Sequence, residues 1–257
     1  MRLLSPTSIS SEMLQSCIPS SEKGMDLSLC TEKLNAKLSS GCRLFVLESD
    51  GELCAKSLVC NPGNSIFKIK GDGVWTIHCL TVTPDKDYET HALELVKRIE
   101  AELSETAKAI GAVVYHKGRM NNSELFRRHG YEYAARDTIA SVVIKRFEPK
   151  ASLEYIPSYP KLSMLDGKVR VQINYDPYCP ATFVTFKRAA EEIRALNNPR
   201  VELSEAVIDD TNSYAVYGFP GVYVNRIALP AGPLEWSEVR EVIQNYLTSK
   251  LPITPAG

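Results

Sequence analysis

The 257-residue chain has almost no excess of charge of either sign: 30 Lys and Arg stand against 31 Asp and Glu, a net charge of -1. That balance lacks the basic surface that nucleic acid or an anionic membrane selects, so neither is expected as a partner. Long apolar runs are missing too, and nothing after Arg2 has the apolar character of a leader, so a cytoplasmic protein without membrane spans is expected. The seven cysteines (Cys17, Cys30, Cys42, Cys54, Cys60, Cys79 and Cys179) contain no C-x-x-C pair. Neither a zinc ribbon nor a secreted disulfide framework is suggested, and reduced thiols are expected. Internal repeats and low-complexity tracts are absent. What the chain does have is 44% hydrophobic residues, enough to bury a core in each of two domains.

From Trp75 to Val82 apolar residues fall on both parities, the pattern of a strand buried on both faces. Pro84 ends it, and Tyr88, Ala92, Leu95, Val96, Ile99 and Leu103 then line one face of a helix. Gly111 to His116 is a second apolar strand, and the strand-helix-strand order predicts a parallel pair with a right-handed crossover. Upstream, Met1 to Ser40 reads as a short strand and two helices, and Asp50-Gly51 joins two β-rich runs as a hairpin. Downstream, Ser123 is the expected cap of a short helix closed by Gly130, and two strands bring a first domain to residue 148. Residues 149–167, with Pro149, Pro157 and Pro160, read as a linker. Residues 168–257 form a second domain: a strand from Val169, a helix from Ala181 to Leu196, three further strands and a last helix through Val239 and Ile243.

Taken in order, Ile77-His-Cys-Leu-Thr-Val82, Glu124-Leu-Phe-Arg-Arg-His-Gly-Tyr131 and Val142-Val-Ile-Lys-Arg-Phe147 resemble the GNAT N-acetyltransferases. The linker prolines and Tyr175-Asp-Pro-Tyr-Cys-Pro180 resemble the thioredoxin-like YoaP module that follows such a domain. The resemblance implies an α/β chain with a GNAT-like mixed sheet domain followed by a smaller thioredoxin-like α/β domain. It implies acetyl-CoA as cofactor and an amine of a small molecule or peptide as acceptor. The edge of Leu80 and Val82 would then pair with the pantetheine arm, and the amides of Tyr88, Glu89, Thr90, His91 and Ala92 would meet the pyrophosphate. In those enzymes the loop is rich in glycine, which lets backbone approach the phosphates closely. Here Asp85 to Ala92 has no glycine, and Asp85, Asp87 and Glu89 against Lys86 make it acidic where a polyanion would sit. The same acids would stabilise the helix dipole. A binding protein with a decayed cofactor site, and thiol chemistry at Cys179, therefore stand beside the transferase.

His116 and Tyr131 are the candidate base and acid for transfer to an amine. Against these roles, Tyr131 reads as packing, and His78, within an apolar strand, as a hydrogen-bonded core residue. His78, Cys79 and His116 are not expected to hold a metal, because neighbours along a strand face opposite sides. Cys179 precedes a helix that has Pro180 at its first position, where the positive end of the helix lowers a thiol pKa. By resemblance it sits where thioredoxin-like proteins carry their nucleophile, opposite a cis-proline segment that Gly218-Phe-Pro-Gly221 resembles. Cys179-Pro-Ala-Thr182 lacks the resolving cysteine, and Asp176 opposes a thiolate. A reactive thiol and an inert, half-buried one both fit.

Overall fold

In the computed structural model, which describes residues 1–115, 121–137, 140–162, 167–225, 227–229 and 236–248, Asp50 and Gly51 both take positive φ (55° and 80°). A two-residue hairpin turn of this hand matches the twist of the strands it joins. Those strands are β2 (Arg43–Ser49) and β3 (Glu52–Cys60). Before them come β1 (Arg2–Leu4), α1 (Ser11–Gln15) and α2 (Ser28–Ser39); after them come β4 (Lys68–Lys70), β5 (Val74–Val82), α3 (Tyr88–Leu103), β6 (Ala109–Tyr115), α4 (Ser123–Arg128), β7 (Glu132–Ala135) and β8 (Ala140–Arg146). Seven of these strands form one sheet in the order β1-β2-β3-β5-β6-β8-β7. Its one parallel pair is β5 with β6, joined through α3. Asn122, rather than Ser123, caps α4: its side chain accepts from the amides of Glu124 and Leu125.

Alternate residues of the same strands build two cores. Phe45, Leu47, Ile77, Leu80 and Ala112 pack beneath α3 and α4 with Leu95, Ile99 and Phe126. Leu44, Val46, Leu58 and Val113 face the other way, into a larger cluster with Leu14, Leu34, Phe186, Phe219 and Ile243. That second face is covered by α1, α2 and the remainder of the chain.

The remainder consists of β9 (Glu154–Ile156), β10 (Val169–Tyr175), α5 (Pro180–Ala195), β11 (Val201–Val207), α6 (Thr211–Tyr217), β12 (Gly221–Val224), β13 (Ile227–Leu229) and α7 (Trp236–Thr248). Four strands form a sheet in the order β11-β10-β12-β13, with β10 parallel to β11 and antiparallel to β12. Within the stretch expected as a linker, β9 pairs antiparallel with β4, placing Lys68 opposite Ile156. Leu153 lies so close over β6 that a Cβ at Gly111 would come within 2.6 Å of it. Gly218, at φ 89°, is as close to Pro160, which a Cβ there would meet at 2.7 Å. Tyr214 binds this segment from the other side, its hydroxyl 3.0 Å from that of Tyr155 and accepting from the Ser158 amide at 3.1 Å.

Two further expectations change. Cys42 and Cys60 form a disulfide, so the thiols are not all reduced. The hairpin register places Arg43 opposite Val59, which brings the flanking cysteines face to face with Cα atoms 4.5 Å apart. The five other cysteines are buried and outside any disulfide. No cis peptide bond occurs among the described residues, so the bond before Pro220 is trans.

Candidate active site

The centre of the larger sheet is irregular where β5 and β6 part. Their pairing ends at Ile77 with Ala112, although β6 continues beside β8 as far as Tyr115. On the other edge of β5, Leu58 lies opposite Cys79 and Val59 opposite Ile77, so His78 is the extra residue of a bulge. The bulge overturns the expectation that His78 and Cys79 face apart. The His78 ring stacks on Phe67 at 4.8 Å, and Cys79 Sγ lies 3.2 Å from Thr81 Oγ1, both on the side of the second sheet. No group of three or more metal-type ligands comes together among the described residues.

Asn121 spans the opening between the strands. Its φ of 41° is a left-handed value that asparagine tolerates, and its backbone oxygen accepts from Tyr115 N at 3.0 Å. The side-chain amide nitrogen donates to His78 O at 3.0 Å and to Val113 O at 2.8 Å. Two carbonyls freed by the splay are thereby satisfied, while Asn121 Oδ1 stays buried without a partner.

Beyond β5 the chain turns into α3. Asp87 is the N-cap, and its Oδ1 accepts from the Thr90 amide at 2.8 Å. The His91 amide bonds Asp87 O at 3.2 Å. Glu89 pairs with Arg128, which also holds Glu124 at 2.6 Å. The amides assigned to pyrophosphate thus sit beside a carboxylate that already engages one of them. Leu80 and Ala92 are wholly buried beneath α3, while Val82 and Tyr88 are half-buried. A cleft of about 460 Å³ opens next to this loop, lined by Ser16, Lys23, Glu52, Asp85 and Lys86 among others. Lys86 reaches Glu52 at 2.9 Å.

A second cluster occupies the junction of the two sheets. Asp176 accepts the Tyr178 amide on Oδ1 at 2.8 Å and meets His78 Nε2 with Oδ2 at 3.2 Å. The Tyr178 and His78 rings meet nearly at right angles, their centroids 5.4 Å apart. Cys179 is the N-cap of α5, with no capping bond from its side chain. Its sulfur accepts from Thr182 Oγ1 at 3.2 Å and lies 3.9 Å from Thr81 Oγ1. Cys79 is hydrogen-bonded to it. Lys56, opposite Thr81 in the β3–β5 ladder, is 0% exposed, and its Nζ has no hydrogen-bond partner.

Burial pushes the Cys179 thiol up, and Asp176 adds to this, but the Cys79 hydrogen bond, the Lys56 ammonium and Thr182 bring it down to about 7. The Cys79 thiol goes the other way, well above its ordinary value, through its bond to Cys179 and through burial. Lys56 is opposed by burial, and the sulfurs around it, Cys79 first, raise it nonetheless. The arrangement suits one shared negative charge on the sulfur pair beside one ammonium.

Of the catalytic candidates, His116 lies outside the described residues. Tyr131 is buried in the α3 and α4 core, edge-on to Phe126 at 5.0 Å. Burial and the neighbouring Glu100 hold its hydroxyl well above the usual tyrosine range. It is on the far side of the sheet from Cys179, so the structure does not bring the two together. Lys56, Cys79 and Asn121 were not singled out as site residues. The only sequence sign of Lys56 is a charge inside the apolar run from Leu53 to Cys60.

No family model matches the chain, and no curated protein matches it. Solved structures do. A ribosomal-protein-alanine N-acetyltransferase from Brucella melitensis is 12% identical, over 57% of this chain and 99% of its own, with a TM-score of 0.43. The aminoglycoside 6'-N-acetyltransferase from Enterococcus faecium is 12% identical, over 58% and 99%, at 0.42. The Campylobacter jejuni N-acetyltransferase PseH, solved with acetyl coenzyme A, is 14% identical, over 56% and 97%, at 0.42. No helix among the described residues is long and apolar enough to cross a membrane.

Proposed function

We propose that the chain is a cytoplasmic N-acyltransferase of GNAT type that moves an acyl group from acetyl-CoA to an amine of a small molecule or peptide. In this reading residues 1–148 carry the transfer, and residues 168–257 form a thioredoxin-like, YoaP-like domain packed on the sheet face opposite α3. The observation that carries it is the parting of β5 from β6 beyond Ile77, next to the bulge at His78. A strand edge without its neighbour offers a ladder of peptide groups to an amide-bearing arm, and Leu80 and Val82 would hold pantetheine there. Acetyl-CoA supplies a thioester, an acyl carbon activated for attack. The amides from Tyr88 to Ala92 would hold the pyrophosphate weakly, since Asp87 already occupies the Thr90 amide. The cleft beside Thr83 and Pro84 suits the acceptor, where the Glu52 and Asp85 carboxylates on either side of Lys86 would draw in an ammonium group. Calorimetric titration with acetyl-CoA tests this, and a dissociation constant between high micromolar and millimolar is expected.

Absence of heat up to millimolar cofactor would remove the transferase reading. The Asp87 cap and the Asn121 bridge would then favour the second one, a binding protein whose cofactor site has closed on itself.

A further inference from the structure

We propose that Cys79 and Cys179 are a peroxide-reactive thiol pair that closes into a reversible disulfide across the junction of the two sheets. The cysteine missing from the first turn of α5 is supplied by the other sheet: the bulge at His78 turns Cys79 toward Cys179, and both sulfurs meet the Thr81 hydroxyl. Both are buried, at 2% and 1% exposure. That hydroxyl lies 3.2 Å from the sulfur of Cys79 and 3.9 Å from that of Cys179, which places the two thiols side by side. Independent of the thiols, the unpartnered Lys56 Nζ projects beside Thr81 into the same buried space, where the feature lacking is an anion. A Cys179 thiolate supplies one, and Thr182 and Thr81 hydroxyls surround it.

The oxidant is a small hydroperoxide. The Cys179 thiolate attacks a peroxide oxygen, the O–O bond breaks, and the other oxygen leaves as alcohol or water after taking a proton. Sulfur is oxidised to a sulfenic acid, and the peroxide is reduced. Cys79 sulfur then attacks the sulfenic sulfur; the S–S bond forms, the S–O bond breaks, and hydroxide departs as water with the Cys79 proton. An external dithiol restores both thiols by exchange.

The test treats reduced, full-length protein with equimolar hydrogen peroxide at neutral pH, blocks remaining thiols with N-ethylmaleimide and maps peptides without reduction. A linked Cys79–Cys179 peptide pair that disappears with dithiothreitol is expected, formed at least roughly tenfold faster than a free cysteine is oxidised. Cys79→Ser should halt at a sulfenic acid on Cys179 that dimedone traps, and Cys179→Ser should leave Cys79 unoxidised, with circular dichroism verifying the fold of each. Because the wild-type protein decides the matter alone, a variant that fails to fold does not blunt the result. A wild-type map without that pair, a link from either cysteine to Cys17 or Cys30 instead, or oxidation no faster than free cysteine would overturn the proposal.

Discussion

The chain twice places a 16-residue helix after a buried strand, and the two helix beginnings differ in every chemical respect. At α3 the cap is Asp87, exposed and bonded to its own helix; at α5 it is Cys179, buried and making no capping bond. One end of a helix dipole is thus neutralised from within, while the other is left to act on a sulfur beside Lys56. The fold offers the same positive electrostatic end at both places. What it becomes is decided by one side chain and by whether solvent reaches it.

Three substitutions break or sharpen that contrast. The largest effect is expected from Lys56→Met, which removes the ammonium beside Cys179. A thiol moved from about 7 to its ordinary value of about 8.5 would lose roughly 15-fold of its thiolate at neutral pH, read as the rate of alkylation. In the unaltered protein that rate should fall about tenfold per unit of acidification below neutrality. The stability profile carries the same sign. The folded thiol is more acidic than the free one, so its contribution is complete above the free-thiol pKa of about 8.5 and is lost as pH falls through about 7. Thr182→Val comes next, since a hydrogen bond to a charged group contributes about 1.5 kcal/mol. It should slow alkylation about tenfold and move the midpoint upward. Asp87→Ala is the smallest: a loss of about 1 kcal/mol in urea unfolding, with acetyl-CoA heat appearing at severalfold lower concentration. Tighter cofactor binding without the loss of stability would show that Asp87 is not capping α3.

Much of the larger sheet was legible because its signals are local. The mixed-parity run of Trp75 to Val82, the helical face from Ala92 to Leu103 and the Asp50-Gly51 turn each fix an element within a few residues. β9 was missed because three residues carry no period. α6 was missed although Asp210 and Ser213 form a capping box, a sign that was there to read. The site was less legible for a different reason. An apolar run buried on both faces hides an inserted residue, so the bulge at His78 left no trace in the pattern. Asn121 meets carbonyls on two separate strands, and Cys79 meets a residue of the other sheet. Such encounters are created by the tertiary fold, and no spacing along the chain announces them.

The pairing of β4 with β9, together with the tyrosine pair at Tyr155 and Tyr214, sews the second half to the first before its own sheet begins. Cutting the chain at the visible proline-rich stretch would therefore not release two finished bodies. It would strip the cover from an oily wall containing Phe67 and Val113, and each half would arrive in water with a face meant for the other.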